Sequence, residues 1–118
     1  MKYLKILNLT RSSHLAEKAV IADNLFSRLK GLLKTASLGA GEGMLLKPCN
    51  SIHTFFMRFP IDVAFVDREN QIIKIYHSLK PWRISGVFFN ALYCLELPAG
   101  TLNATHTQQG DYLQVTSA

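Results

Sequence analysis

The sequence predicts an α+β fold: a compact, mostly antiparallel, curved or barrel-like β-sheet with one or two short helices. Short apolar runs recur along the chain between clusters of turn residues, which is the pattern of a strand-rich protein. A single segment carries apolar residues at helical spacing. One run, Ile61 to Val66, is apolar on both faces apart from Asp62, as expected of a strand covered on both sides.

Taken in order, Tyr3 to Leu9 reads as a first strand and Lys18 to Ala22 as a second, with Arg11, Ser12 and Ser13 as the turn between them. Asp23 or Asn24 can cap a helix, since either side chain accepts a hydrogen bond from an unpaired first-turn amide. Leu25, Phe26, Leu29, Leu32 and Leu33 then form one apolar stripe, with Arg28, Lys30 and Lys34 off it. Gly31 weakens such a helix by up to about 1 kcal/mol relative to Ala, so close backbone packing is the expected reason for it. Gly39, Gly41 and Gly43 lie in a loop that lacks the Lys-Ser/Thr pair of a phosphate cradle and leads into a strand-like Met44-Leu45-Leu46. It reads as a connection.

Ile52 to Phe59 is expected as a strand with His53, Phe55, Met57 and Phe59 on one face. Pro60 cannot donate to a ladder and marks the bend before the Ile61 to Val66 strand. Asp67 to Asn70 is a polar turn, and Gln71 to Ser78 returns from it as the second arm of a hairpin. Leu79 to Gly86 is a loop in which Trp82 either covers the core or lines an opening. Ala91 to Leu97 is a strand stopped by Pro98, Gly100 to Gln109 holds a short helix, Gly110-Asp111 turns, and Tyr112 to Val115 is the last strand. No repeat, low-complexity tract or boundary divides the 118 residues, so one domain spanning 1–118 is expected.

Composition narrows the function classes. With 48% hydrophobic and 18% charged residues, the chain can bury a core without a cofactor to nucleate it, and none is expected. The net charge of +5 arises from scattered Lys and Arg with no basic block, which argues against a nucleic-acid partner. Cys49 and Cys94 have neither disulfide-framework nor Cys-x-x-Cys spacing; Cys94 reads as core and Cys49 as near the surface, both reduced. His14, His53, His77 and His106 show no metal-ligand spacing, so no metal site is expected. The apolar residues near the N-terminus are broken by Asn8, Thr10, Arg11 and Ser12, giving neither leader nor membrane span, and a cytoplasmic location is expected.

The candidate site residues are those a small core must accommodate. Asp62 heads an apolar run and is expected at the rim of the core; Glu96 shares a strand face with Leu92 and Cys94. Neither carboxylate should be buried unpaired, and Arg28 and Arg58 are the natural partners. His53 supplies a group that titrates near neutrality, as acid–base catalysis requires. Phe88 and Phe89 are adjacent and cannot both point inward from one strand, so one of them is expected at the surface.

Arg28-x-x-Gly31-Leu32, Gly43-Met44-Leu45-Leu46, His53-Thr54-Phe55, Met57-Arg58-Phe59-Pro60-Ile61-Asp62, Pro81-Trp82-Arg83 and Leu95-Glu96-Leu97-Pro98-Ala99-Gly100 together resemble the DUF192 (UPF0127) family of small bacterial and archaeal proteins. Phe56 stands where that family usually has Trp or Gly, and Asn70 where a turn Gly is common. The resemblance implies a β-rich α+β fold and no settled activity. Three readings follow. The first is a non-enzymatic module binding a small molecule or protein segment through a pocket edged by Arg28, Arg58, Asp62, Trp82 and Glu96. The second is an acid–base enzyme using His53 with Asp62 or Glu96 on a small anionic substrate. The third and weakest is a nucleic-acid accessory protein. Oligomeric state is not legible.

Overall fold

The computed structural model describes residues 3–22 and 38–117. The expected helix over 25–33, with its caps, Arg28 and Gly31, lies outside the described residues.

Among the described residues seven strands form one sheet: β1 (Leu4–Asn8), β2 (Ser13–Ala22), β3 (Glu42–Leu46), β4 (Ile61–Val66), β5 (Ile72–Leu79), β6 (Tyr93–Pro98) and β7 (Leu113–Ser117). Their spatial order is β5-β4-β6-β3-β2-β1-β7, and every pairing is antiparallel except β2 with β3. The described helix, α1 (Thr101–Ala104), is one turn long. The curved, mostly antiparallel sheet is as expected, but the described residues are mostly β and not clearly α+β. Residues 101–109 explain part of the difference: after α1 the chain turns through Thr107 and folds back on the sheet, so the expected helix is confined to its first turn.

The sheet curls into a half-barrel whose two edges touch at one end. Gln71, just before β5, forms a bridge with Tyr112, just before β7. The Ile72 amide donates to the Asp111 carbonyl at 2.9 Å, the Gly110 amide to the Ile72 carbonyl at 2.8 Å and the Leu113 amide to the Asn70 carbonyl at 2.8 Å. These bonds occupy edge groups that would otherwise be open to another chain.

Strand alternation splits the core between the two faces of the sheet. Inside the curl, Ile6, Leu15, Ala19, Leu45, Val66, Leu95 and Leu97 pack together, and Leu102 of α1 plugs them. On the outer face Met44, Leu46, Ile61, Val63, Phe65 and Cys94 pack under Ile52 and Met57 from the loop before β4. All six residues of β4 are buried, as its two-sided apolar pattern requires. Gly43, the second residue of β3, lies where neighbouring strands leave little space. A Cβ there would stand 3.0 Å from a Leu97 methyl and 3.3 Å from the Glu96 carbonyl.

The β4–β5 hairpin follows its expected course. Asp67 Oδ1 accepts the amides of Glu69 and Gln71 at 3.0 and 2.9 Å, and Asn70 takes the left-handed position (φ 63°), which Asn tolerates better than other non-Gly residues. The Asn70 side chain is also used: its Oδ1 accepts the Tyr93 hydroxyl at 2.9 Å. Burial, and secondarily the negative charge of Asp67, push the Tyr93 phenol well above its ordinary range and keep it a neutral donor. β2 begins five residues earlier than its apolar pattern suggests, at Ser13, because backbone pairing to β1 extends through the polar residues.

Below α1, one polar network holds the closure. Asn8 Nδ2 donates to Thr107 Oγ1 and to Asp111 Oδ2, each at 3.0 Å, and Asn8 Oδ1 accepts the Arg11 amide at 3.0 Å. The same Asp111 oxygen accepts Arg11 Nε at 3.0 Å and the Gln108 amide at 2.9 Å. Burial alone would raise the Asp111 carboxyl. The hydrogen bonds from Arg11, Asn8 and Gln108, with the Arg11 charge, outweigh it and hold the carboxyl below its ordinary value.

A carboxyl lowered in the folded state stabilises the fold above its unfolded pKa, and that contribution is lost as pH falls through the folded value. Asp111→Asn should therefore lower stability at neutral pH by about 1–2 kcal/mol. Melting temperatures of the wild type and the variant should converge as the medium is acidified below the carboxylate range. A gap that stays constant down to acid pH would show that the Asp111 charge is not what the network uses.

Candidate functional site

The carboxylates expected at a pocket edge lie on opposite faces of the sheet. Asp62 is fully buried, not at the rim, and belongs to the inner face with Ala64 and Val66. Its Oδ1 accepts the Ser78 amide at 2.8 Å, and its Oδ2 accepts the amides of Gly100 and Leu102 at 3.1 and 2.9 Å. Its partners are thus backbone donors and not Arg58. Gly100, at φ 94°, turns the chain so that its own N–H and that of Leu102 meet the same oxygen. Glu96, also fully buried, lies opposite Met44 and Val63 on the outer face with Cys94. Arg58 is exposed. Arg28 lies outside the described residues.

His53 stands apart from Asp62. It is half-buried in an irregular segment, forms an isolated bridge with Ile84, and its Nδ1 accepts the Phe55 amide at 3.3 Å. Among the described residues no cluster of three or more His, Cys, Asp or Glu could hold a metal ion. No helix among them is long and apolar enough to cross a membrane.

The segment read as a strand over Ile52 to Phe59 is instead one of two loops laced together on the outer face. The Thr54 amide donates to the Arg83 carbonyl at 2.8 Å, the Trp82 amide to the Thr54 carbonyl at 3.0 Å, and the Ser85 amide to the Ile52 carbonyl at 2.9 Å. Thr54, fully buried, donates its hydroxyl to the Lys80 carbonyl at 2.6 Å and accepts the Arg83 amide at 2.9 Å. Ser85 Oγ accepts the Ile52 amide at 2.9 Å and donates to the Gly86 carbonyl at 2.8 Å. Strand alternation fails at Phe56, whose φ is 68°: a turn closes from the Met57 amide to the Thr54 carbonyl, Met57 points into the core, and Phe56 is 60% exposed.

Four rings line up across these loops. His53 and Phe55 centroids are 4.8 Å apart, Phe55 and Trp82 5.8 Å and stacked, and Trp82 and Phe56 4.7 Å. Trp82 is 56% exposed and, like Phe56, holds a left-handed backbone (φ 63°). Two bulky aromatics in that region are strained at roughly 1–3 kcal/mol each, and the paired loops must hold them there. Ile84, Val87 and Phe89 are exposed farther along the same loop, while Phe88 packs on Phe65 and Tyr76. A cleft of about 510 Å³ opens beside Phe89, between Ala91 and the Asp67–Glu69 turn.

The segments that carry these loops are rich in cations, while the Asp67–Glu69 turn borders them beside Phe89. Residues 43–61 and 70–95 contain Lys47, Arg58, Lys74, Lys80 and Arg83 and no carboxylate, so they carry the whole net charge of +5. The other eight basic residues are balanced by eight acidic ones. Of these five, Lys80 and Arg83 lie in the loop that Thr54 laces to the segment carrying Arg58. The signal available in the sequence was the crowding of Phe55, Phe56 and Phe59, more rings than one strand face can bury.

Residues 7–115 match the family model DUF192, described as Uncharacterized ACR, COG1430, and the chain belongs to that family. A UPF0127 protein of Pyrococcus furiosus is 31% identical over 112 residues, covering 92% of this chain and 96% of that protein. Another from Thermococcus sibiricus is 29% identical over 110 residues, covering 90% and 71%. Among solved structures, a protein of unknown function from Novosphingobium aromaticivorans superposes with a TM-score of 0.78 at 19% identity, over 94% of this chain and 82% of that one. A Sinorhizobium meliloti protein described as a candidate transcription regulator gives 0.79 at 20% identity, over 97% and 92%. At these identities the two structures establish the shared fold alone. The curated relatives are archaeal and the solved structures bacterial.

Asp62→Asn would place an NH2 donor where three backbone donors already converge. The expected loss is about 3 kcal/mol in urea unfolding, with the exposed ring surface unchanged. Wild-type stability in this variant would show that the Asp62 charge is not needed to hold β5 and α1.

Proposed function

We propose that the protein is a non-enzymatic binding module that takes an extended, acidic protein segment bearing apolar side chains on the surface of Phe55, Phe56 and Trp82. The carrying observation is the pair of exposed aromatics, Phe56 and Trp82, each held in a left-handed backbone and joined in one ring array. Strain at exposed bulky residues has no packing benefit of its own, and such strain concentrates where a ligand is held. Arg58, Lys80 and Arg83 flank the rings in sequence and are exposed, which suits carboxylates of a partner. Exposed Ile84 and Val87 favour a protein segment over stacked bases, because aliphatic side chains give bases no platform. Of the residues expected at a pocket, Arg58 and Trp82 belong to this surface and His53 forms its inner end. Asp62 is buried on the inner face, where backbone amides hold it, and Glu96 is buried on the outer face, so neither carboxylate is exposed beside the rings.

Trp82 is the chain's single tryptophan, so its emission reads the surface directly. A synthetic peptide alternating glutamate with leucine and phenylalanine should change that emission saturably, with affinity falling as salt is raised. Phe56→Gly and Arg83→Glu should each weaken binding about tenfold or more. Phe56→Gly should keep urea stability within about 1 kcal/mol of wild type, since glycine accepts the left-handed turn. No response to the peptide would refute the reading. Tighter binding of a thymidine oligonucleotide would reassign the surface to single-stranded nucleic acid.

A further inference from the structure

Cys49 and Cys94 are 45 positions apart, and their Sγ atoms meet at 3.0 Å. Nothing in their spacing suggests this. The backbone produces it: the Cys49 amide donates to the Leu92 carbonyl at 3.0 Å, which lays the start of the 49–57 loop against the entry to β6. Cys94 then points to the outer face of that strand, directly beneath Cys49.

The two sulfurs differ in the way a thiol–disulfide exchange pair requires. Cys94 is fully buried among apolar side chains, whereas Cys49 is half-buried and lines a recess of about 200 Å³ with Pro48, Asn50 and Ala91. An external disulfide can reach only Cys49. The hydrogen bonds have a direction as well: Cys94 donates to the Cys49 sulfur, and Cys49 donates to the Ser51 carbonyl at 3.2 Å. The attacking species in exchange is a thiolate, and of the two sulfurs only that of Cys49 borders an open recess. Exposed Lys47, two residues away, adds positive charge on the same segment.

We infer that Cys49 and Cys94 form a thiol–disulfide exchange site for a low-molecular-weight disulfide, with Cys49 as the attacking thiol and Cys94 as the resolving one. The Cys49 thiolate attacks one sulfur of a disulfide such as oxidised glutathione; the S–S bond breaks and one glutathione leaves as thiolate. The Cys94 sulfur, losing its proton, then attacks Cys49 Sγ, forms the internal disulfide and expels the second glutathione. The protein gives up two electrons and two protons, and the glutathione disulfide becomes two thiols. The product ties the head of the loop that carries His53, Phe55 and Phe56 to the central strand β6. The inference is independent of what the ring surface binds.

The test uses the purified full chain, reduced and then incubated with excess oxidised glutathione, quenched with an alkylating reagent and analysed by intact mass and peptide mapping. Wild type should become a species lighter by two hydrogens, with no alkylation, a cross-linked peptide containing positions 49 and 94, full reversal by dithiothreitol and a higher melting temperature than the reduced form. Cys94→Ala, which keeps a small apolar side chain in the core, should stop at a glutathione adduct on Cys49. Cys49→Ser should take up glutathione at least tenfold more slowly than wild type. The inference is overturned if wild type stops at a lasting Cys49 adduct, if both thiols stay alkylatable, or if Cys49→Ser reacts as fast as wild type.

Discussion

The carboxylate of Asp62 fixes how the rest of the molecule is arranged. It sits on a strand with no solvent on either face, where an unsatisfied charge would be costly by several kcal/mol. Its donors must therefore come from backbone that is brought to it. They come from Ser78 on β5 and from Gly100 and Leu102 at the start of α1. Placing those amides aims Leu102 into the inner core and sets where β5 ends. A residue that looks functional in a list of charges is here the joint between a strand, a turn and a plug.

The two faces of the sheet have different characters as a result. The inner face is closed by regular pairing, by Leu102 and by the Asn8–Arg11–Asp111 network, and it holds the edge-to-edge contact between β5 and β7. The outer face is covered by irregular loops whose backbone donors are satisfied across the pair through Thr54 and Ser85. Buried hydroxyls of that kind let a loop hold unusual conformations, because each turn is fixed from the neighbouring loop and not by its own regular structure. The strained exposed rings and the meeting of Cys49 with Cys94 both depend on this lacing. In a family without an assigned activity, this laced face differs most from what packing alone requires.

Much of the fold was legible. The strand Ile61–Val66 and the hairpin through Asp67 and Asn70 follow from two-sided apolarity and turn chemistry, which are local. The strands around Leu45, Leu95 and Leu113 follow from short apolar runs ended by Gly or Pro. Phe88 and Phe89 do part, one packed and one exposed, but in a loop and not on the strand that the expectation assumed. The reading of Ile52 to Phe59 as a strand failed because its apolar residues are dense enough to mimic alternation. The chain reverses at Phe56 through a left-handed angle that no propensity favours for Phe. The candidate site was legible only in pieces. His53, Arg58 and Trp82 were singled out for their chemistry, and Asp62 and Glu96 were grouped with them because a linear reading does not assign faces across different strands.

The sequence by itself determined a strand-rich chain of the DUF192 type, its hairpin, its two-sided central strand and the depth of Cys94, since each depends on neighbours within a few residues. Only the tertiary structure decided that Asp62 and Glu96 face opposite ways, that Phe56 and Trp82 stand out together, and that Cys49 reaches Cys94. Those outcomes depend on register between strands distant in sequence and on hydrogen bonds between two loops about 30 residues apart. Alternation along one strand says which residues share a face; it does not say which face of the next strand they will meet.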